Sequence, residues 1–147
     1  MAKAPSKRPD ATGGLAGYSG TPLPKKLRIG DGCAVALLNA PEGFATKLKP
    51  LPDGVRLQKQ AAGAAVILAF MKSAAMLARE LPSLVREMSQ GRTLWVIWPK
   101  KASGVATDLT ENYIRDMILP VGLVDYKVCA VDETWSGLAF AVRKTKK

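Results

Sequence analysis

The sequence predicts an α/β domain: a three-layer α/β/α arrangement around a mostly parallel sheet of five to six strands that ends in an antiparallel hairpin. Three observations carry this. Cys33–Leu38 (CAVALL), Ala64–Phe70 (AAVILAF) and Leu94–Trp98 (LWVIW) are apolar at every position, as strands buried on both faces are. Segments of helical period alternate with them, which gives crossovers and hence parallel pairing. In Leu123–Val131 the pattern changes: Val124, Tyr126, Val128 and Ala130 alternate with Asp125, Lys127 and Cys129, so one face is wet and the strand lies towards an edge. Asp132–Gly137 (DETWSG) then turns the chain, and Leu138–Val142 returns as the antiparallel partner.

Composition bounds the class. At 147 residues the chain is one domain with enough material for a real core. Hydrophobic content of 48% with 23% charged residues is globular, not disordered, composition. The longest apolar run, Ala61–Met71, includes Gly63 and falls short of the roughly 18 residues a bilayer span needs. The N-terminus carries charge without an apolar stretch, so no secretory signal is read there. With no histidine, His-dependent acid–base chemistry, Ser-His and Cys-His pairs and the usual zinc sites are excluded. Cys33 and Cys129 sit in apolar runs and read as core thiols of a reducing compartment rather than a disulfide.

The net charge of +10 is concentrated in the tails. Lys3, Lys7 and Arg8 outweigh Asp10 at one end, and Arg143, Lys144, Lys146 and Lys147 crowd the other. Such tails attract nucleic acid non-specifically, and they also keep small domains in solution. Residues 1–16 read as a flexible basic leader, 17–143 as a single domain and 144–147 as a basic tail.

Taken in order, Gly14, Gly17 and Gly20 form a GxxGxxG that no strand precedes, so it reads as linker rather than phosphate loop. Thr21-Pro22 offers a helix start and Gly30 a stop, which predicts a short helix over Pro22–Ile29. After Cys33–Leu38 comes the corner Asn39-Ala40-Pro41-Glu42-Gly43, with one helical turn from Phe44 to Lys49, and Val55–Leu57 as a short strand. Ser73 opens a helix whose Leu77, Leu81, Leu84, Val85 and Met88 share a face, with Gly91 as its stop. Pro82 inside it predicts a kink or two abutting helices. Trp95 and Trp98 fall on opposite faces of their strand and read as packing residues. Asp108, with Glu111 three residues on, predicts a helix N-cap. Leu109, Tyr113 and Met117 would form the buried face of that helix, and Pro120 its end.

Three long strings, GYSGTPLPKKL (Gly17–Leu27), LWVIWPKKASGVATDLTE (Leu94–Glu111) and GLVDYKVCAVDETWSGL (Gly122–Leu138), resemble a family of small bacterial proteins defined as a domain of unknown function. The resemblance covers about Gly17 to Arg143 and carries over no catalytic residue. It implies a bacterial, cytoplasmic protein with a shortened class I methyltransferase-like Rossmann fold, whose last two strands form such a hairpin. On that resemblance the strand order is Val55–Leu57, Cys33–Leu38, Ala64–Phe70, Leu94–Trp98, Leu138–Val142, with Leu123–Val131 at the edge.

The resemblance raises S-adenosylmethionine as a cofactor, and the residues argue against it. An adenosyl group needs a glycine-rich turn after the first strand, where a Cβ-free backbone lets it lie close. The turn here holds one glycine, a proline and an acid. An acid usually ends the second strand to hold the ribose hydroxyls, yet Leu57 and Gln58 stand there, followed by Lys59. The sequence thus predicts no bound cofactor. Asn39 and Glu42 could contact some other ligand, or cap their own turn.

In a parallel sheet the strand C-termini share one rim, which gathers Asn39–Phe44, Met71–Ser73, Pro99–Asp108 and Asp132–Ser136. Lys100 and Lys101 bring charge there, and Ser103, Gly104 and Thr107 bring small side chains and backbone N–H groups suited to phosphate or carboxylate. Asp132 and Glu133, two strands or roughly 10 Å away, could instead join the lysines in an ion-pair network. Trp135 could cover a ligand or pack over the rim. The expected function is a non-catalytic module binding a small anionic ligand or a protein partner at this rim. The alternatives are a divergent methyltransferase, or nucleic-acid association through the basic tails.

Overall fold

The computed structural model describes residues 21–143. The GxxGxxG glycines, the whole leader (1–16) and the basic tail (144–147) lie outside the described residues. Six strands, β1 (Ala34–Leu38), β2 (Arg56–Gln58), β3 (Val66–Phe70), β4 (Thr93–Pro99), β5 (Leu123–Ala130) and β6 (Trp135–Val142), form one sheet in the order β2-β1-β3-β4-β6-β5. β1 pairs in parallel with β2 and β3, and β3 with β4, whereas β6 runs antiparallel to both β4 and β5. Order, directions and the closing hairpin are those expected.

The helices are α1 (Leu23–Lys26), α2 (Phe44–Lys47), α3 (Ala74–Arg86) and α4 (Glu111–Ile118). Two cores sandwich the sheet, because alternate residues of each buried strand serve opposite faces. On one face Ile67, Ala69, Leu94, Val96 and Phe140 meet Leu77, Leu81 and Leu84 of α3 and Ile114 and Ile118 of α4. On the other, Val66, Leu68, Phe70, Trp95 and Ile97 meet Leu27, Phe44, Leu48 and Trp135. Trp95 and Trp98 do divide between the two faces. The second layer is thin, with α1 and α2 one turn each, so large side chains fill what longer helices would cover.

α1 and α2 are shorter than the sequence predicts, and Pro22 rather than Thr21 stands at the α1 N-cap. α3 is one uninterrupted helix across Pro82 and ends before Gly91, with Glu87 as C-cap. The proline is tolerated where it and Ala78, whose carbonyl loses its helical partner, are both exposed to solvent.

The expected start of α4 is corrected. Thr110, not Asp108, is the N-cap, its Oγ1 accepting from the Tyr113 N–H at 3.1 Å. With the start displaced, Leu109 precedes the helix, and of the three residues expected on the buried face Leu109 and Met117 pack on the core whereas Tyr113 does not. Leu109 is still buried, but Ile114 and Ile118 make the helix contact, and Tyr113 is 40% exposed. The alternation in β5 is corrected too. Its register slips between Asp125 and Lys127, where Asp125 faces Phe140 and Lys127 faces Ala139. Those partners belong to opposite cores. One extra residue, Tyr126, therefore sends Asp125 and Lys127 to opposite faces. Arg115 of α4 takes Asp125 at 2.9 Å and Glu111 at 2.6 Å, while Lys127 turns to α1. Tyr126 and Val128 are the exposed pair instead.

Candidate functional site

The rim assembles from the ends of β1, β3 and β4 and the turn between β5 and β6. Beyond β1, Asn39 takes a left-handed conformation (φ 59°), and its Nδ2 donates to Glu80 Oε1 of α3 at 3.3 Å. Gly43, also left-handed (φ 82°), starts α2 and delivers Phe44 inward. Phe44 is 2% exposed, its ring edge-on to Phe70 at 4.8 Å, and Phe70 meets Trp135 edge-on at 5.1 Å. This row joins the β1 corner, the end of β3 and the start of β6. Edge-to-face contacts of this kind add to the burial each ring already contributes. Trp135 is thus a packing residue, in β6 rather than in a loop. Glu42 is exposed.

Asp132 braces the same side. Its Oδ2 accepts from Lys47 Nζ at 2.8 Å, and its Oδ1 accepts from the N–H groups of Thr134 and Trp135 at 2.8 and 2.9 Å. Burial alone would push this carboxyl up. The Lys47 ammonium and the two N–H donors outweigh burial and hold it below the ordinary carboxylate range. Of the ion-pair network that Lys100 and Lys101 could have made with Asp132, the structure makes a different pair: the partner is Lys47 of α2. Lys100 instead donates its backbone N–H to the Thr134 carbonyl at 2.7 Å, and Glu133 is exposed.

On the other side, the segment from Lys100 to Thr110 lies against the start of α3. Ser103 Oγ donates to the Lys100 carbonyl at 2.6 Å and accepts from the Val105 N–H at 3.1 Å, and Gly104 takes φ 81° after this short 3-10 turn. Thr107 Oγ1 accepts from the Leu109 N–H at 3.1 Å. Asp108 Oδ1 accepts from the Ala74 N–H at 2.7 Å, and Ser73 Oγ takes the Met76 N–H. Asp108 therefore caps α3, the neighbouring helix, and occupies the place where the dipole of that helix would draw an anion. The structure brings Lys100, Lys101, Ser103, Gly104 and Thr107 into one loop, with their small polar side chains bonded to the loop itself. Asn39 instead bonds Glu80 of α3.

Whether the β1 corner suits an adenosyl group can be judged from its residues. The backbone after β1 is carried down by the buried Phe44 ring rather than laid open by successive glycines. At the end of β2, the Gln58 side-chain amide donates to the carbonyls of Gln60 and Ala62 at 2.6 and 2.8 Å, so its N–H groups serve the local turn. No carboxylate stands in its place. These residues do not form the cradle and ribose-holding acid that the group requires. Among the described residues no three metal-ligating side chains cluster, and no helix is long and apolar enough to cross a membrane.

A second concavity, which sequence reasoning missed, lies between α1 and β5. It has a volume of about 610 Å³ and is lined by Lys25, Lys26, Arg28, Lys127, Cys129 and Ala130, among others. Lys26 Nζ donates to the Ala130 carbonyl and Lys127 Nζ to the Lys26 carbonyl, each at 2.9 Å. The two sets of residues are a hundred positions apart, and the slip at Tyr126 that turns Lys127 towards α1 leaves no mark in the pattern. Cys33 and Cys129 are both free and half-buried. Burial pushes the Cys129 thiol up, while Lys26 and Lys127 pull the other way.

No protein-family model matches the chain, and no curated protein matches it in sequence. Among solved structures it is similar to the N-methyltransferase NodS from Bradyrhizobium japonicum WM9, with a TM-score of 0.54 and 15% identity over 83% of this chain and 93% of that one. It is also similar to TrmN from Thermus thermophilus, with a TM-score of 0.51 and 11% identity over 82% of this chain but only 47% of that one. At such identities the likeness speaks for the fold, which is methyltransferase-like and Rossmann-like.

Proposed function

We propose that this chain is a divergent methyltransferase-fold protein whose cofactor corner has closed, leaving a non-catalytic module that binds an anionic ligand. The observation that supports this is the buried row Phe44–Phe70–Trp135, which anchors the turn after β1 where an adenosyl group would need bare backbone. The neighbouring polar groups are spent internally: Asp132 on Lys47, Asp108 on α3, Gln58 on its own turn. Titration calorimetry with S-adenosylmethionine tests it. No saturable heat at millimolar cofactor is the expected result, and a saturable isotherm overturns the reading.

A second reading has its own support. Likeness to an N-methyltransferase across nearly all of that protein's length favours a divergent S-adenosylmethionine-dependent methyltransferase more directly than it favours a binding module. On this reading the Asn39–Phe44 corner and Gln58 are where the cofactor would be held. The same isotherm decides between the two.

A further inference from the structure

We propose that the groove between α1 and β5 is a binding site for the phosphate chain of a nucleotide-sized ligand. The inference rests on the reading above only in taking the ligand to be anionic, and it places that ligand away from Lys100 and Lys101. Its volume of about 610 Å³ lies within the roughly 300–1,000 Å³ of small-ligand sites. Four of the lining side chains are cationic, Lys25, Lys26, Arg28 and Lys127, and no carboxylate of the described residues lines the groove.

Three of the four cations, Lys26, Lys127 and Arg28, are also held in position. α1 is tied to the sheet by the Trp95 indole N–H, which donates to the Leu27 carbonyl at 2.9 Å from a fully buried ring. Lys26 and Lys127 are each pinned by a carbonyl of the opposite wall. The Arg28 guanidinium lies 5.6 Å from the centre of the Tyr126 ring, on a residue whose backbone is itself left-handed (φ 70°). Side chains fixed in advance lose less freedom on binding, so more of the attraction appears as affinity. A lone carboxylate would meet one or two of these charges. A chain of phosphates offers several charges to a groove whose Lys25, Arg28 and Lys127 all line it, and arginine adds a fork that matches phosphate oxygens. Val128 and Ala130 supply apolar surface alongside for a base or ribose.

The test is titration of the full chain with ATP and with inorganic tripolyphosphate at low and at raised salt. Both are expected to bind saturably and to weaken as salt rises, because exposed charges are screened within about 10 Å at 0.1 M. The Lys25→Ala/Arg28→Ala double variant and Lys127→Ala should each weaken binding by about tenfold or more, or about 1.4 kcal/mol. Lys100→Ala/Lys101→Ala should leave it unchanged. Far-UV circular dichroism and thermal unfolding establish that each variant is folded, and if Lys127→Ala fails to fold, the Lys25→Ala/Arg28→Ala pair carries the test. Two results overturn the proposal: neither probe saturating at millimolar concentration, or weakening that follows the Lys100/Lys101 variant. In the first case, a short oligonucleotide that binds where both small probes fail would point to nucleic acid instead. Were S-adenosylmethionine to bind while ATP still titrated the groove, the closed-corner reading would fall and this site would stand.

Discussion

At the scale of single residues, the chain places few polar groups inside, and each is committed. Asp132 is the plainest case, with a side chain 6% exposed and three donors on its two oxygens. Because its carboxyl is held below the ordinary value of about 3.9, the folded state binds this proton less readily than the unfolded chain. Its contribution is therefore fully present above about pH 4 and is lost as pH falls through the lower, folded value. Asp132→Asn keeps one acceptor but loses the charge, and should cost about 1–2 kcal/mol at pH 7. Urea unfolding at pH 7 and at about pH 3 checks this: the gap between variant and parent should narrow at the lower pH. Gly137 is committed in a different way. A Cβ there would come within 2.9 Å of the Trp95 ring, so only glycine lets β6 lie this close to the indole.

Elements in this fold are finished by one another. The N-terminus of α3 is capped from within by Ser73 and from outside by Asp108, which stands 34 positions further along. α4 is capped by its own Thr110. Asp108→Ala should thus destabilise by about 1 kcal/mol, the usual cost of a lost cap. The loss should fall on α3: amide hydrogen exchange at Ala74–Leu77 should quicken while that of α4 is unchanged. Exchange that quickened in α4 instead would return Asp108 to the role its spacing implies. The bulge in β5 is likewise completed elsewhere, since Arg115 and α1 draw Asp125 and Lys127 apart.

For the whole molecule, the aromatic row Phe44–Phe70–Trp135 ties the β1 corner to β3 and β6 on one face of the sheet. Phe44 joins a one-turn helix to β3 through Phe70 from a buried position, so its removal leaves a cavity there. Phe44→Ala should cost about 3–5 kcal/mol, read from denaturant unfolding. A loss under about 1 kcal/mol would mean that the corner collapses easily and is not held by this ring. The two features that could bear function lie apart in this architecture. The rim is satisfied internally, whereas the α1–β5 groove gathers like charges.

The sheet was legible in the sequence because its strands announce themselves: CAVALL, VILAF and LWVIW are apolar throughout, and only burial on both faces sustains that. Strand order and the antiparallel hairpin followed from a resemblance and from the patterned last strands, and the structure has them as expected. Partners across space were not legible. Asp108 and Thr110 are both competent caps, and local spacing cannot say that one of them serves a different helix. Lys47 and Asp132 stand 85 positions apart, and a single inserted residue in β5 reverses which face Lys127 serves. By itself the sequence determined which segments must be buried, because apolar burial depends on composition and period alone. Only the tertiary structure decided which charge meets which, because such pairing depends on distances that the folded chain creates.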